Sequence, residues 1–113
     1  MFLKILLLFM ASSIMAIERR VNVENTTDTN LVVEIERDCN AIDGYIGPYN
    51  VKPHGASFII FHTDDLQASH CVILRHDATK SVVIVKGGFD SSVCKLRVFC
   101  AGESISFEDE DCV

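Results

Sequence analysis

Five cysteines constrain the fold of this chain more than any other feature of its sequence. All of them lie after residue 38 of the 113 residues: Cys39, Cys71, Cys94, Cys100 and Cys112. In a small secreted chain such cysteines form disulfides, which stabilise a domain with a modest core. Two bridges leave one cysteine unpaired, either buried or available for an intermolecular disulfide with a partner chain. The pairing stays open at this level, and the spacing gives little support to a structural zinc site.

The N-terminal segment has the features of a secretory signal peptide. Lys4 precedes an unbroken apolar run that ends at Met10, and cleavage is expected after Ala16. The run is too short for a resident membrane-spanning helix, although an uncleaved anchor is the alternative. We therefore expect residues 1–16 to be a signal peptide. Residues 17–113 are expected to form a single secreted, extracellular domain that does not insert into a membrane.

Acidic residues outnumber basic ones, which limits the partners that the chain can bind. The formal net charge is −6, and the basic residues are scattered. Nucleic acid and anionic membrane surfaces carry dense negative charge that this chain cannot neutralise. The composition therefore argues against both as partners.

Short segments with a two-residue apolar period dominate the rest of the sequence. Leu31, Val33 and Ile35 alternate with polar residues, as in a strand with one buried face. About seven such strands predict an all-β fold, a small antiparallel β-sandwich stabilised by disulfides, with a small barrel as the alternative. The segment 57–62 is apolar on both faces and is expected to be a central strand. Residues 40–53 are rich in Gly, Asn, Asp and Pro and are expected to form a loop.

One possible modification site lies in the first predicted turn. The tripeptide Asn25-Thr26-Thr27 is an N-glycosylation sequon. In a secreted chain we expect a glycan at Asn25. The alternative is that this asparagine stays unmodified.

Several motifs occur in an order that is typical of one family. They are Val21-Asn22-Val23-Glu24-Asn25, then Cys39 with Asp43 and Gly47, then Pro53 with Phe58 and Phe61, then Cys71, and finally Cys94-Lys95-Leu96-Arg97-Val98 with Gly102 and Ile105. In this order the chain resembles the plant self-incompatibility proteins, the S-protein homologues, with Leu96 where that family has tryptophan. The resemblance implies a β-sandwich with two disulfides and no catalytic machinery. It also implies a secreted ligand that a cell-surface partner recognises.

The long predicted loop holds the candidate residues for recognition. Asp43, Tyr45, Ile46 and Tyr49 lie within it. Binding residues concentrate on loops that a rigid scaffold carries, and aromatic side chains dominate many interfaces. The alternative is that one or both tyrosines simply cap the sandwich.

Histidines and cysteines form no recognisable catalytic or metal-binding motif. His62, His70 and His76 lie near the ends of predicted strands and are expected to be solvated. No signature of a nucleophile surrounds any cysteine. We therefore expect no catalytic residue, no metal and no cofactor, and a non-enzymatic extracellular ligand or effector that binds a cell-surface protein receptor. The alternatives are a small secreted enzyme or enzyme inhibitor that uses the unpaired cysteine, and a carrier of an apolar ligand.

Overall fold

Eight β-strands make up the secondary structure that we describe. The computed structural model describes residues 17–39, 45–64, 67–90 and 93–112, and the predicted signal peptide lies outside these ranges. The strands are β1 (Ile17–Asn25), β2 (Leu31–Arg37), β3 (Tyr45–Val51), β4 (Ala56–Thr63), β5 (His70–His76), β6 (Val82–Gly87), β7 (Lys95–Ala101) and β8 (Ser104–Glu110).

The strands form two four-stranded sheets that pack face to face. Sheet A has the order β4-β1-β7-β8, and sheet B has the order β3-β2-β5-β6. Neighbouring strands are antiparallel except β1 and β7, which are parallel. A parallel pair needs a long connection, which here is the chain that builds all of sheet B together with β4. The predicted disulfide-stabilised β-sandwich is confirmed, with eight strands where about seven were expected and one parallel pair.

The core lies between the sheets and is built from alternate residues of each strand. Branched aliphatic side chains that are completely buried form its centre: Val21, Val23, Leu31, Val33, Ile35, Val72, Leu74, Leu96 and Val98. Their removal from water is the main favourable contribution to folding a domain of this size.

The prediction of a loop over residues 40–53 is wrong in its second half, because β3 forms there as an edge strand of sheet B. Pairing of β3 with β2 shifts register between Val33 and Ile35. At the shift Gly47 adopts a φ of 113°, and a Cβ atom there would lie 2.9 Å from the Val33 carbonyl oxygen. Glycine is the residue that tolerates this geometry. The bulge and the glycine mask the two-residue period, so the strand resembles a loop in the sequence.

The prediction that the segment 57–62 is a central strand is also wrong. It belongs to β4, which lies at the edge of sheet A and pairs with β1 alone. Ile59 and Phe61 face the core, whereas Phe58 and Ile60 lie on the outer face with 52% and 45% of their surface exposed. Apolar residues on both faces therefore mark a strand with an uncovered apolar side.

Two disulfides close the fold and settle the pairing that the sequence left open. Cys39, in the turn after β2, bonds to Cys71 on β5, and Cys94, before β7, bonds to Cys112, after β8. Cys100 is free and exposed. Disulfides of this kind are compatible with an extracellular protein. Within the described ranges there is no helix with the length and apolarity needed to cross a bilayer.

Candidate functional site

The residues predicted to form a binding loop belong to strand β3 or precede it. Tyr45 is the first residue of the strand, and Asp43 lies outside the described residues. Ile46 and Tyr49 are half-buried and pack against the core. These two side chains are therefore not presented on a free loop, and their role in binding stays a prediction.

Asn25 is completely buried at one end of the sandwich. Its amide nitrogen lies within hydrogen-bonding distance of the carbonyl oxygens of Thr29 (2.8 Å), Val51 (3.0 Å) and Lys52 (3.2 Å). Its side-chain oxygen, Oδ1, accepts hydrogen bonds from the backbone N–H and the hydroxyl of Thr27. A glycan would replace one of the two hydrogens on Nδ2 at a side chain with no exposed surface, so the predicted glycosylation conflicts with the folded geometry. The structure gives Asn25 the role of tying the first turn to the end of β3.

His76 extends this buried polar cluster. Its Nδ1 accepts a hydrogen bond from the N–H of Thr79 at 3.3 Å. Its Nε2 lies 2.7 Å from the hydroxyl of Thr29 and 3.0 Å from that of Thr27. The prediction that His76 is solvated is wrong, because the ring joins the two turns at this end.

His70 is buried at the opposite end of β5, so the prediction of a solvated residue is wrong here as well. Its ring packs edge-on against Phe61, with centroids 4.8 Å apart. Among the described residues, Nδ1 has no hydrogen-bond partner. Burial lowers the pKa of His70, and the charges of Arg19 and Arg37 lower it further, while Asp38 opposes them. This environment therefore favours the neutral form of the ring. His62, in contrast, is exposed as predicted.

The described residues contain no group of three or more His, Cys, Asp or Glu side chains that could hold a metal ion. Four of the five cysteines are in disulfides, and Cys100 lies alone near the end of β7. The feature of the described residues that offers a candidate site is an exposed apolar surface.

Exposed apolar side chains on two edge strands are the feature that the sequence analysis missed. Phe58 and Ile60 lie on β4, and Val82 and Ile84, with 46% and 60% of their surface exposed, lie on β6. Val93, before β7, is also exposed. The sequence signal was the presence of apolar residues at both alternating sets of positions. Only the strand order shows which of these sets has no covering layer.

On sheet B the exposed residues form a patch with Ile73, which we call the β6 patch (Ile73, Val82 and Ile84). Ile73 on β5 pairs with Ile84 on β6 and is almost fully buried. Arg75 pairs with Val82 in the same ladder and forms an ion pair with Glu34, with 2.8 Å between Nε and Oε1. The patch therefore has an apolar centre and a charged border on a rigid sheet face.

Comparison of the chain with protein-family models, with curated proteins and with solved structures finds no match in any of the three.

Proposed function

We propose that this chain is a secreted, non-enzymatic recognition protein that binds a protein at the cell surface, as its resemblance to the self-incompatibility proteins implies. The observation that carries the proposal is the β6 patch on the outer face of sheet B. The two disulfides support the extracellular location, because they persist in oxidising compartments.

The composition of the patch is suited to a protein partner. Val82 and Ile84 are exposed, and Ile73, which lies beside Ile84 in the β5–β6 ladder, is buried. β-Branched side chains on a strand lose little conformational freedom when they are covered. The Arg75–Glu34 ion pair at the border offers polar groups to a rim, and interfaces commonly combine an apolar centre with such a rim.

A binding experiment with one substitution tests the patch. We expect Ile84→Lys to weaken binding of the tagged, secreted protein to receptor-bearing cells by about tenfold or more, because a charge would be buried at the centre of the interface. Val93→Lys is the matched control, since it places the same charge at an equally exposed apolar position of the chain.

Three results would contradict the proposal. Equal binding by wild type and Ile84→Lys would reject the β6 patch. Retention of the protein inside the cell would reject secretion. Loss of binding by a Tyr45→Ala, Tyr49→Ala double variant, with binding retained by Ile84→Lys, would place the binding site on β3.

A further inference from the structure

The four edge strands differ in how they are protected against pairing with another chain. Exposed edges are normally blocked by charges, prolines, bulges or short length. β3 carries Pro48 and the register shift, β8 carries the acidic residues 108–110, and β6 is six residues long and carries Lys86. β4 has eight residues and contains no proline, lysine, arginine, aspartate or glutamate. Of the edges that the structure describes, β4 is the one without such a device.

The open side of β4 presents its backbone and its apolar side chains together. The N–H of Asn25 donates to the carbonyl of Gly55, just before the strand. Hydrogen-bonded pairs recur at every second residue of an antiparallel ladder, so the odd-numbered residues of β4 bond to β1. The even-numbered residues from Ala56 to His62 therefore point their N–H and C=O groups away from β1. Phe58 and Ile60, which are among them, are also the large apolar side chains exposed on the outer face.

We propose that β4 pairs with β4 of a second copy of this chain, antiparallel and around a two-fold axis at Ile59, to give one continuous eight-stranded sheet. This inference goes beyond the proposed function, because it assigns a different surface and a different partner. Ile59 lies midway between Ala56 and His62. A two-fold axis at Ile59 therefore lets the free N–H and C=O groups of all the even-numbered residues pair with the second copy. The register gives about eight new interstrand hydrogen bonds.

The side chains of this register complement each other. Phe58 of one copy lies opposite Ile60 of the other, and the same pair recurs across the axis. Aromatic residues opposite β-branched residues are favourable cross-strand pairs. Each exposed apolar side chain of β4 is thus covered by the other one from the second copy.

Charge at the strand ends favours the antiparallel arrangement. Exposed Lys52 precedes β4, and Asp64, with 75% of its side chain exposed, follows it. Antiparallel pairing brings Lys52 of each copy to the same end of the joint sheet as Asp64 of the other. Elsewhere the surface is dominated by acidic residues, so two copies repel except where an uncharged edge lets them meet.

Analytical ultracentrifugation of the full secreted protein tests the proposal, with Cys100→Ser as the background to prevent covalent dimers. We expect a reversible dimer whose dissociation constant rises by at least about tenfold in Ile60→Lys, because two lysines then face the new ladder. Val93→Lys is the control and should dimerise as the background does.

Amide hydrogen exchange at low and high protein concentration gives the second readout. The amides of the even-numbered residues of β4 should become protected as the concentration rises, whereas the odd-numbered ones are protected throughout. A monomer at about 0.1 mM overturns the proposal. A dimer that Ile60→Lys leaves intact also overturns it. The same holds if the amides of the even-numbered residues become protected only when a different protein is added.

Discussion

Three buried polar side chains, Asn25, His76 and His70, show how single residues hold the opposite ends of this sandwich. At one end Asn25 satisfies carbonyl groups of two segments, and His76 joins the neighbouring turns. At the other end His70 packs against Phe61 with one ring nitrogen unpaired among the described residues. The first arrangement stabilises the fold through hydrogen bonds, whereas the second makes it sensitive to protonation.

Replacement of Asn25 by alanine should lower the free energy of unfolding by about 2–4 kcal/mol. The substitution leaves buried carbonyl oxygens and the backbone N–H of Thr27 without their partner. Urea denaturation measures the effect, and mass spectrometry of the secreted wild type should find Asn25 without a glycan. Thr27→Ser is the control, since it keeps both the sequon and the hydroxyl group. A glycan on natively folded protein would contradict the buried geometry.

Stability should fall as the pH drops below about 6.5, the ordinary pKa of histidine. The pKa of His70 is lowered in the folded protein, chiefly by burial, so the unfolded chain takes up a proton first. The free energy of unfolding then decreases by at most about 1.4 kcal/mol per pH unit until the folded-state pKa is passed. Denaturation of wild type and His70→Gln between pH 5 and pH 8 measures this contribution. The exposed His62→Gln is the control, and an identical pH profile for His70→Gln and wild type would refute the assignment.

At the scale of strands, each of the two disulfides joins the end of a strand to its neighbour in the same sheet. Cys94–Cys112 joins the start of β7 to the end of β8, the edge strand that contains the acidic run. Cys39–Cys71 joins the turn after β2 to the middle of sheet B. In β8 only Ile105 is fully buried, so the covalent bond compensates for a small contribution to the core.

Removal of the second bridge should therefore release β8 before the rest of the sandwich. A Cys94→Ser, Cys112→Ser double variant loses a crosslink over 18 residues, which corresponds to about 3 kcal/mol in the loop-entropy estimate. Hydrogen exchange should show fast exchange in β8 while β2 and β5 stay protected. Cys39→Ser with Cys71→Ser is the comparison, and it should leave β8 protected. Uniform loss of protection in both variants would show that β8 does not open separately.

At the scale of the whole molecule, the two disulfides leave one thiol free, and the strand order leaves two apolar surfaces exposed. Cys100 is free and exposed, the β6 patch lies on sheet B, and Phe58 with Ile60 lies at the edge of sheet A. β4 of sheet A contacts β3 of sheet B, whereas β6 of sheet B contacts β8 of sheet A. β4 and β6 therefore lie at opposite edges of the sandwich. One molecule can therefore use the two surfaces at the same time.

Titration of the native protein with a thiol reagent should find one accessible thiol per molecule. The reason is that Cys100 is the single cysteine outside the two disulfides. Cys100→Ser should titrate to zero and should abolish any covalent dimer on a non-reducing gel. A native wild-type protein without a reactive thiol would mean that Cys100 is already bonded to a partner chain or that the pairing differs.

The class of fold follows from the pattern of residues along the chain. Alternation at Leu31, Val33 and Ile35 depends on local geometry, because side chains of a strand point to opposite faces in turn. The number of cysteines likewise predicted two bridges and one free thiol. These features follow from near neighbours in the chain, so they are readable without a structure.

Strand order becomes apparent only in the folded protein, and it sets which apolar residues are covered. Residues 57–62 have the same local pattern whether the strand is central or at an edge, and the pairing with β1 alone leaves Phe58 and Ile60 exposed. The buried positions of Asn25 and His70 also depend on segments distant in the chain. Such long-range packing has no local signature, which is why the candidate surfaces could not be predicted from the sequence.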